Sequence, residues 1–354
     1  MKQALVLGAT GGIGGEVARL LVARGWTVKA LHRAPDQVAR VGDGLQWLQG
    51  DAMERDDVVN AARGVQLIVH AVNPPGYRNW GALVLPMLDN TVAAARANGA
   101  RILLPGTVYN YGPDAFPYLH EDSPQHPVSR KGAIRVELEA RLKEAARDGV
   151  RSLIVRAGDF FGPQPGNSWF SQGLVKPGRP VTAISNPSAP GIGHQWAYLP
   201  DVAETMVRLA ERDDVLPAFA CYQMNGHWDA DGTQMVAAIA RAAGKPELKP
   251  SAFPWWLMML ASPFVPVLRE LREMRYLWRQ PLRMSNARLL AILGNEPHTP
   301  LDEAVRRTLI GIGCLAAGAD AGVGSSGQAS ASTPRPIKPN AAAPVAEGAS
   351  LRGQ

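Results

Sequence analysis

The stretch LVLGATGGIGGEVARLL, Leu5–Leu21, limits the fold of this chain more than any other. A short apolar run ends at Gly8, further glycines follow at Gly11 and Gly14, and an amphipathic helical pattern begins at once. Strand, glycines and helix in that order suit a dinucleotide pyrophosphate. Gly8 permits the tight turn, Gly11 lets the backbone approach the phosphates, and Gly14 lets the helix pack closely on the strand. The helix N-terminus then offers free N–H groups and the positive end of its dipole to the anion. Thr10, Gly12 and Ile13 complete the loop. A bare glycine triplet is a weak signal, and its position directly behind a first strand is what makes it specific.

The rest of the chain keeps the same rhythm. Gln3–Leu7, Thr27–Leu31, Leu45–Leu48, Gln66–His70, Arg101–Leu104 and Ser152–Val155 are strand-length runs, several nearly all apolar, as strands buried on both faces are. Amphipathic stretches at Ile13–Arg24, Asp56–Arg63, Ala82–Asn98 and Ile134–Arg147 lie between them. Strands alternating with crossover helices predict an α/β fold with a doubly wound parallel sheet. After Phe160 the rhythm breaks. Glycine and proline crowd FFGPQPGNSWF and LVKPGRPVTAISNPSAPGIGH, which predicts long loops over a binding site before regular helices at Val202–Glu211 and Gly232–Ala243. The expected division is a Rossmann domain over 1–160, a smaller substrate-binding lobe over 161–313 that returns elements to the core, and a tail over 314–354. That tail is rich in Ala, Gly, Ser and Pro and reads as disordered.

Composition narrows the setting. With 354 residues, 46% of them hydrophobic, the chain has enough apolar material for a full core. Cys221 and Cys314 make no CxxC pair, which predicts a reducing, cytoplasmic setting and offers zinc no obvious site. The opening MKQALVLGAT is too brief for a signal-peptide apolar core and reads as the first strand. The net charge of +6 is spread out with no block of five cations, so it speaks for solubility and not for nucleic acid.

The second strand decides between cofactors. NAD-selective sites place an acid about 20 residues beyond the glycines to bind the ribose 2′-hydroxyl. Here TVKAL ends in His32 and Arg33, and a planar guanidinium suits a 2′-phosphate. NADP is therefore expected, with NAD as the alternative.

Glycine spacing and the segments that follow resemble the extended short-chain dehydrogenase/reductase family, the NAD(P)-dependent epimerase/dehydratase group, over about Met1 to Leu309. LQGDAMERDD is similar to the family's third-strand ending, which implies adenine contacts for Asp51 and Ala52. LIVHAVNPP resembles the fourth-strand segment along the nicotinamide ribose and implicates Ala71 and Asn73. IVRAGDFFGP looks like the segment bordering the nicotinamide, with Ala157 and Asp159, and HQWAYLPDVAETM resembles a late strand-to-helix motif with Asp201 at its aspartate. The resemblance implies a small-molecule substrate and a homodimer.

In that family a serine or threonine after the fifth strand works with a tyrosine and, four residues later, a lysine. PGTVYNYGP resembles the fifth-strand motif and puts Thr107 at the hydroxyl position, a turn threonine being the alternative. KGAIRVELE fits the catalytic helix through Gly132 and Glu139, which puts Lys131 at the tyrosine position and Arg135 at the lysine position. The chain departs from the family here. Two cations four apart share a helix face and repel unless an anion lies between them. One reading makes Lys131 a proton donor with a pKa depressed beside Arg135, and Arg135 a donor to ribose hydroxyls. The other makes both solvated surface residues on a helix that has lost its catalytic task. Tyr109 and Tyr111 are substitute acids.

On the substrate side, FPWWLMMLASPFVPVLRELREMRYLWRQPLRM is apolar, rich in Trp and Met, and then basic. Its apolar part, Phe253 to Leu268, is shorter than the roughly 20 residues that span a bilayer and is broken by Pro263 and Pro266. It reads as a pocket wall for a bulky or apolar ligand. The competing reading is a peripheral membrane contact with Arg269, Arg272, Arg275 and Arg279 facing anionic lipid. His194 and Trp196 are candidates to reach the ligand, although a core histidine satisfied by backbone explains the same residue; His120 and His126 are too loosely spaced for a metal. The function expected from these features is carbonyl reduction or alcohol oxidation with a nonstandard proton donor. Its rivals are an NADP-binding redox sensor or scaffold without turnover, and a sugar epimerase or dehydratase.

Overall fold

The computed structural model describes residues 2–38, 44–74, 80–164, 166, 168–262 and 272–316. Strands in chain order are β1 (Gln3–Leu7), β2 (Thr27–His32), β3 (Leu45–Gln49), β4 (Leu67–His70), β5 (Arg101–Gly106), β6 (Tyr118–Leu119) and β7 (Ser152–Arg156). They continue as β8 (Asp159–Phe161), β9 (Ser185–Asn186), β10 (His194–Tyr198), β11 (Phe219–Gln223), β12 (His227–Asp229), β13 (Ser251–Ala252) and β14 (Arg283–Met284). Helices are α1 (Gly12–Ala23), α2 (Arg55–Ala61), α3 (Trp80–Asn98), α4 (Arg130–Arg147), α5 (Leu199–Ala210), α6 (Gln234–Ala242), α7 (Trp255–Ala261), α8 (Ala287–Leu293) and α9 (Leu301–Gly311).

Seven strands form one parallel sheet in the order β3-β2-β1-β4-β5-β7-β11, so the fold is the doubly wound Rossmann arrangement that the apolar runs predict. β11 is the strand that periodicity misses. Strands β1, β4, β5 and β7 are buried almost throughout because helices cover both faces: α1 and α5 pack on one, α2, α3 and α4 on the other. Leu138 and Leu142 of α4 are fully buried there, and each such side chain contributes about 1.5–3 kcal/mol of burial free energy.

The chain leaves β1 toward β2 and β3, then crosses back to β4 on the other side. Leu7 is in register with Leu31 on one neighbour and with His70 on the other. The C-terminal ends of β1 and β4 therefore diverge into loops on opposite faces, which opens a crevice where ligands bind in such sheets.

Helix α4 begins four residues before the periodic pattern at Ile134, because Ser129 caps it: its Oγ accepts the Gly132 N–H at 3.1 Å. Lys131 and Gly132 thus fall in the first turn.

Beyond β7 the expected loops carry more structure than the glycines and prolines suggest. β8, β10 and β12 form a small sheet, β9 pairs with β13 and β6 with β14. Phe161, Phe170, Trp196, Tyr198, Ile239 and Trp278 fill the core of this lobe, and Cys314, expected in the tail, packs there as well. The remaining tail, 317–354, and Arg269 lie outside the described residues. None of the described helices is long and apolar enough to cross a membrane.

Candidate active site

A cleft of about 420 Å³ opens at the C-terminal ends of β1, β4 and β5. Gly11, Gly12 and Ile13 form one end, Ala71 to Pro74 and Thr107 to Tyr109 the floor, and Lys131, Arg135 and Trp80 one wall. Ala157, Asp159, Trp169 and Met274 close the other side.

The three glycines are not equivalent. Gly8 has φ +92°, and a Cβ there would lie 2.6 Å from the Ala71 carbonyl oxygen. A Cβ on Gly14 would lie 2.2 Å from the Gly8 carbonyl oxygen, so strand and helix touch at that point. A Cβ on Gly11 would meet only the Gly8 oxygen, at 3.3 Å, and otherwise open space. The loop is thus closed on its inner side and clear where a pyrophosphate would approach. Helix α1 has no side-chain cap, which leaves its first N–H groups for an anion. On both counts the loop fits a dinucleotide.

The residues expected at the adenosine end, His32, Arg33, Asp51 and Ala52, do not line the cleft. The Asp51 carboxylate accepts the Met53 N–H at 3.0 Å, and the Ala52 carbonyl accepts the Asn90 amide at 3.0 Å, so backbone bonds shape this turn. His32 accepts the Ala34 N–H on Nδ1 at 3.1 Å and meets Trp47 edge-on. Arg33 is exposed beside it. Asn73 lies on the cleft, also exposed, whereas Thr10 is exposed outside it.

Lys131 is only 4% exposed, and its Nζ lies 5.6 Å from the centre of the Trp80 ring. The Arg135 guanidinium lies 5.2 Å from the same ring. An indole face attracts cations, and this one gathers two that repel each other in water. Both line the cleft, which is not the placement of a solvated helix face.

Thr107 donates its hydroxyl proton to Asn110 Oδ1 at 3.0 Å and also lines the cleft. Of the two substitute acids, Tyr109 lines the cleft while Tyr111 is fully buried, its hydroxyl bonded to Gln223 and its ring under Arg156. Burial pushes the Tyr111 phenol up, so it is no proton donor to the cleft.

Asp159 borders the cleft and holds His194, Nε2 to Oδ2 at 2.8 Å, while the imidazole stacks on Trp278 with centroids 3.8 Å apart. His194 reaches only a small recess behind Asp159. Trp196 does not line the cleft: it is 2% exposed in the lobe core, edge-on to His194. It shares the His194 face of β10 but packs on Phe161 and Trp278, which corrects its expected role as a ligand contact. Asp201 bonds Thr299 at 2.7 and 2.8 Å and secures the start of α9, well away from the cleft. His126 pairs with Asp114 at the surface.

Phe253, Trp255 and Trp278 pack around Trp169, so this part of the basic-aromatic stretch forms the apolar wall behind the cleft. The outer face of α7 leaves Trp256 and Leu260 exposed.

Sequence reasoning passed over His70. It ends β4, is 3% exposed and lines the cleft. The Thr91 hydroxyl donates to the Met87 carbonyl at 2.9 Å, so it accepts the His70 Nδ1 proton at 2.8 Å and leaves Nε2 bare. Burial, and then the Arg135 guanidinium, pulls His70 down to about 3. Trp80 was missed too, since nothing local to it marks a partner 51 residues away.

Comparisons with known proteins agree with this geometry. Residues 8–160 match the family model described as NAD(P)H-binding. That span runs from the first glycine into β8, the strand that Asp159 opens. The doubly wound fold itself is one that solved structures of epimerases share. A putative epimerase from Burkholderia cenocepacia J2315 superposes with a TM-score of 0.70 at 20% identity, over 89% of this chain and 99% of that one. The UDP-glucose 4-epimerase of Thermus thermophilus, in complex with NAD, superposes at 0.66 and 22% identity, over 88% and 98%. A 3-diazoavenalumate denitrifying reductase of a Streptomyces species is 29% identical over 179 residues, 46% of this chain and 58% of that protein's length. Within this fold, Lys131 and Arg135 occupy the first two turns of α4, a helix that borders the cleft.

Proposed function

We propose that the protein is an NADP-dependent oxidoreductase that interconverts a carbonyl and an alcohol on a bulky, apolar small molecule, with Lys131 in place of the family's tyrosine. One observation carries the reading: Lys131, 4% exposed, lines a single cleft together with Arg135, Thr107 and the Gly11–Gly12 turn. The nicotinamide, when bound, supplies or accepts hydride. Lys131 gives the carbonyl oxygen a proton as hydride reaches the carbon, and the neutral amine left behind is reprotonated from solvent. Arg135 stays charged throughout and serves to hold the ribose hydroxyls. Arg33 pairs with the 2′-phosphate, and Trp169 and Met274 receive the apolar body of the substrate. The Streptomyces relative is named a reductase, which favours net hydride delivery over epimerisation.

The test is titration with NADPH and NADH, followed by a carbonyl panel run alongside Lys131→Ala, Arg135→Ala, Thr107→Ala and Arg33→Ala. NADPH is expected to bind at least about tenfold tighter than NADH, a preference that Arg33→Ala removes, since one charge-assisted contact contributes about 1.5–3 kcal/mol. Lys131→Ala is expected to depress kcat more than KM. Tight NADPH binding without oxidation by any carbonyl favours the sensor reading. Turnover indifferent to Lys131, Arg135 and Thr107 refutes the site.

A further inference from the structure

Behind Thr107 runs a closed circuit of hydrogen bonds. The Thr107 hydroxyl donates to Asn110 Oδ1 at 3.0 Å, Asn110 Nδ2 donates to Gln125 Oε1 at 3.1 Å, and Gln125 Nε2 donates to Glu139 Oε2 at 3.0 Å. Glu139 receives Arg156 Nη2 on both oxygens, at 2.9 and 2.8 Å, and Arg156 Nη1 returns to the Thr107 carbonyl. Asn110, Glu139 and Arg156 are all buried.

The direction of this chain does not depend on how the two amides are drawn. A carboxylate paired with a guanidinium only accepts. Gln125 must therefore turn its NH₂ toward Glu139, which leaves its oxygen for Asn110. Asn110 must then turn its NH₂ toward Gln125 and its oxygen toward Thr107. A threonine hydroxyl has one proton, and it is committed to Asn110. Toward the cleft Thr107 presents lone pairs alone.

We propose that this relay fixes Thr107 as a hydrogen-bond acceptor in the cleft, so that it selects a ligand hydroxyl, or the Lys131 ammonium, over a carbonyl oxygen. Asn110, Gln125 and Glu139 are positioning residues that impose the polarity. The alcohol form of a substrate couple then gains a hydrogen bond at Thr107 that the carbonyl form lacks, and the carbonyl takes its donor from Lys131. An acceptor facing an acceptor forfeits one hydrogen bond, on the order of a tenfold difference in affinity. The choice of an alcohol–carbonyl couple rests on the function proposed above, whereas the polarity of the relay does not.

Two measurements separate these. Neutron diffraction from deuterium-exchanged crystals of the full chain is expected to show the Thr107 deuteron on the line to Asn110. An Asn110 ND₂ group aimed at Thr107 overturns the proposal. In solution, the affinities of 1-phenylethanol with NADPH bound and of acetophenone with NADP⁺ bound, two non-reacting combinations, are compared in wild type and Gln125→Leu. Cutting the relay lets the Asn110 amide rotate, and the alcohol-to-ketone affinity ratio is expected to fall about tenfold. NADPH affinity stays at the wild-type level, and Thr107→Ser keeps the wild-type ratio. A ratio unchanged in Gln125→Leu overturns the proposal. If neither probe binds while the deuteron lies on the Asn110 line, the relay stands and the substrate class proposed above fails.

Discussion

His70 gives the sharpest quantitative test, because its environment makes the folded protein sensitive to acid. Buried beside Arg135 and bonded through Nδ1 to Thr91, it is held neutral, with its pKa pulled down to about 3 from the ordinary 6.5. The unfolded chain lets the imidazole charge near pH 6.5, so below that value protons bind the unfolded state preferentially. The His70 contribution to stability is complete above pH 6.5 and is lost as pH falls toward 3. At pH 5.0 the loss is RT ln[(1 + 10^1.5)/(1 + 10^−2)], about 2 kcal/mol, against less than about 0.1 kcal/mol at pH 7.5. Raising the native value by a full unit leaves that figure at about 2 kcal/mol, because at pH 5.0 the unfolded-state term dominates. Urea unfolding of wild type and His70→Gln at both pH values measures it. His227, pulled down to about 4 by burial and by His298, destabilises both proteins in the same direction and cancels in the comparison. Wild type is expected to lose about 2 kcal/mol more than His70→Gln between pH 7.5 and 5.0. Equal losses in the two proteins would refute the claim that His70 is buried and neutral.

Other substitutions examine the cofactor loop and the ion pair. Gly14→Ala sets a methyl against the Gly8 carbonyl, so both melting temperature and NADPH binding are expected to fall. Gly11→Ala meets only the Gly8 oxygen, at 3.3 Å, so it is expected to lower the melting temperature less than Gly14→Ala does and to lose about tenfold or more in NADPH affinity, by obstructing the pyrophosphate. Glu139→Ala strands the Arg156 guanidinium, whose side chain is 0% exposed, and is expected to cost about 3–5 kcal/mol by urea unfolding. A cost below about 1 kcal/mol would mean that water reaches Arg156.

Of the six strands legible in the sequence, β1, β4, β5 and β7 are buried almost throughout and read as nearly apolar runs, and β2 and β3, only partly buried, show as weaker ones. FACYQ, the seventh, lies at the sheet edge and carries a glutamine. It is secured from a distance: Arg101, 1% exposed, donates to the carbonyls of Ser152 at 3.1 Å and Pro217 at 2.9 Å and pairs with Asp213. No local pattern around Phe219 encodes that. The glycine loop was legible because its chemistry is contiguous in the chain. The placement of Lys131 and Arg135 followed from Gly132 and Glu139, but the indole that gathers them comes from α3, and the circuit that orients Thr107 draws on four separate segments. Trp196 misled because a tryptophan two residues from a candidate histidine looks like a ligand contact, whereas Phe161 and Trp278, distant in sequence, enclose it in the lobe core.

The order in which the cleft is assembled along the chain has a consequence for biogenesis. Its glycine-loop side is complete by Gly166, whereas the opposite wall waits for Met274. A chain emerging N-terminus first from the ribosome therefore presents the glycine loop and its strands more than 100 residues before the last residue of the substrate wall. Nucleotide is available in the cell throughout synthesis, and a ligand that binds only the folded form stabilises it. On the function proposed above, the dinucleotide has the opportunity to act as a template for the nascent domain before the pocket for its substrate is built.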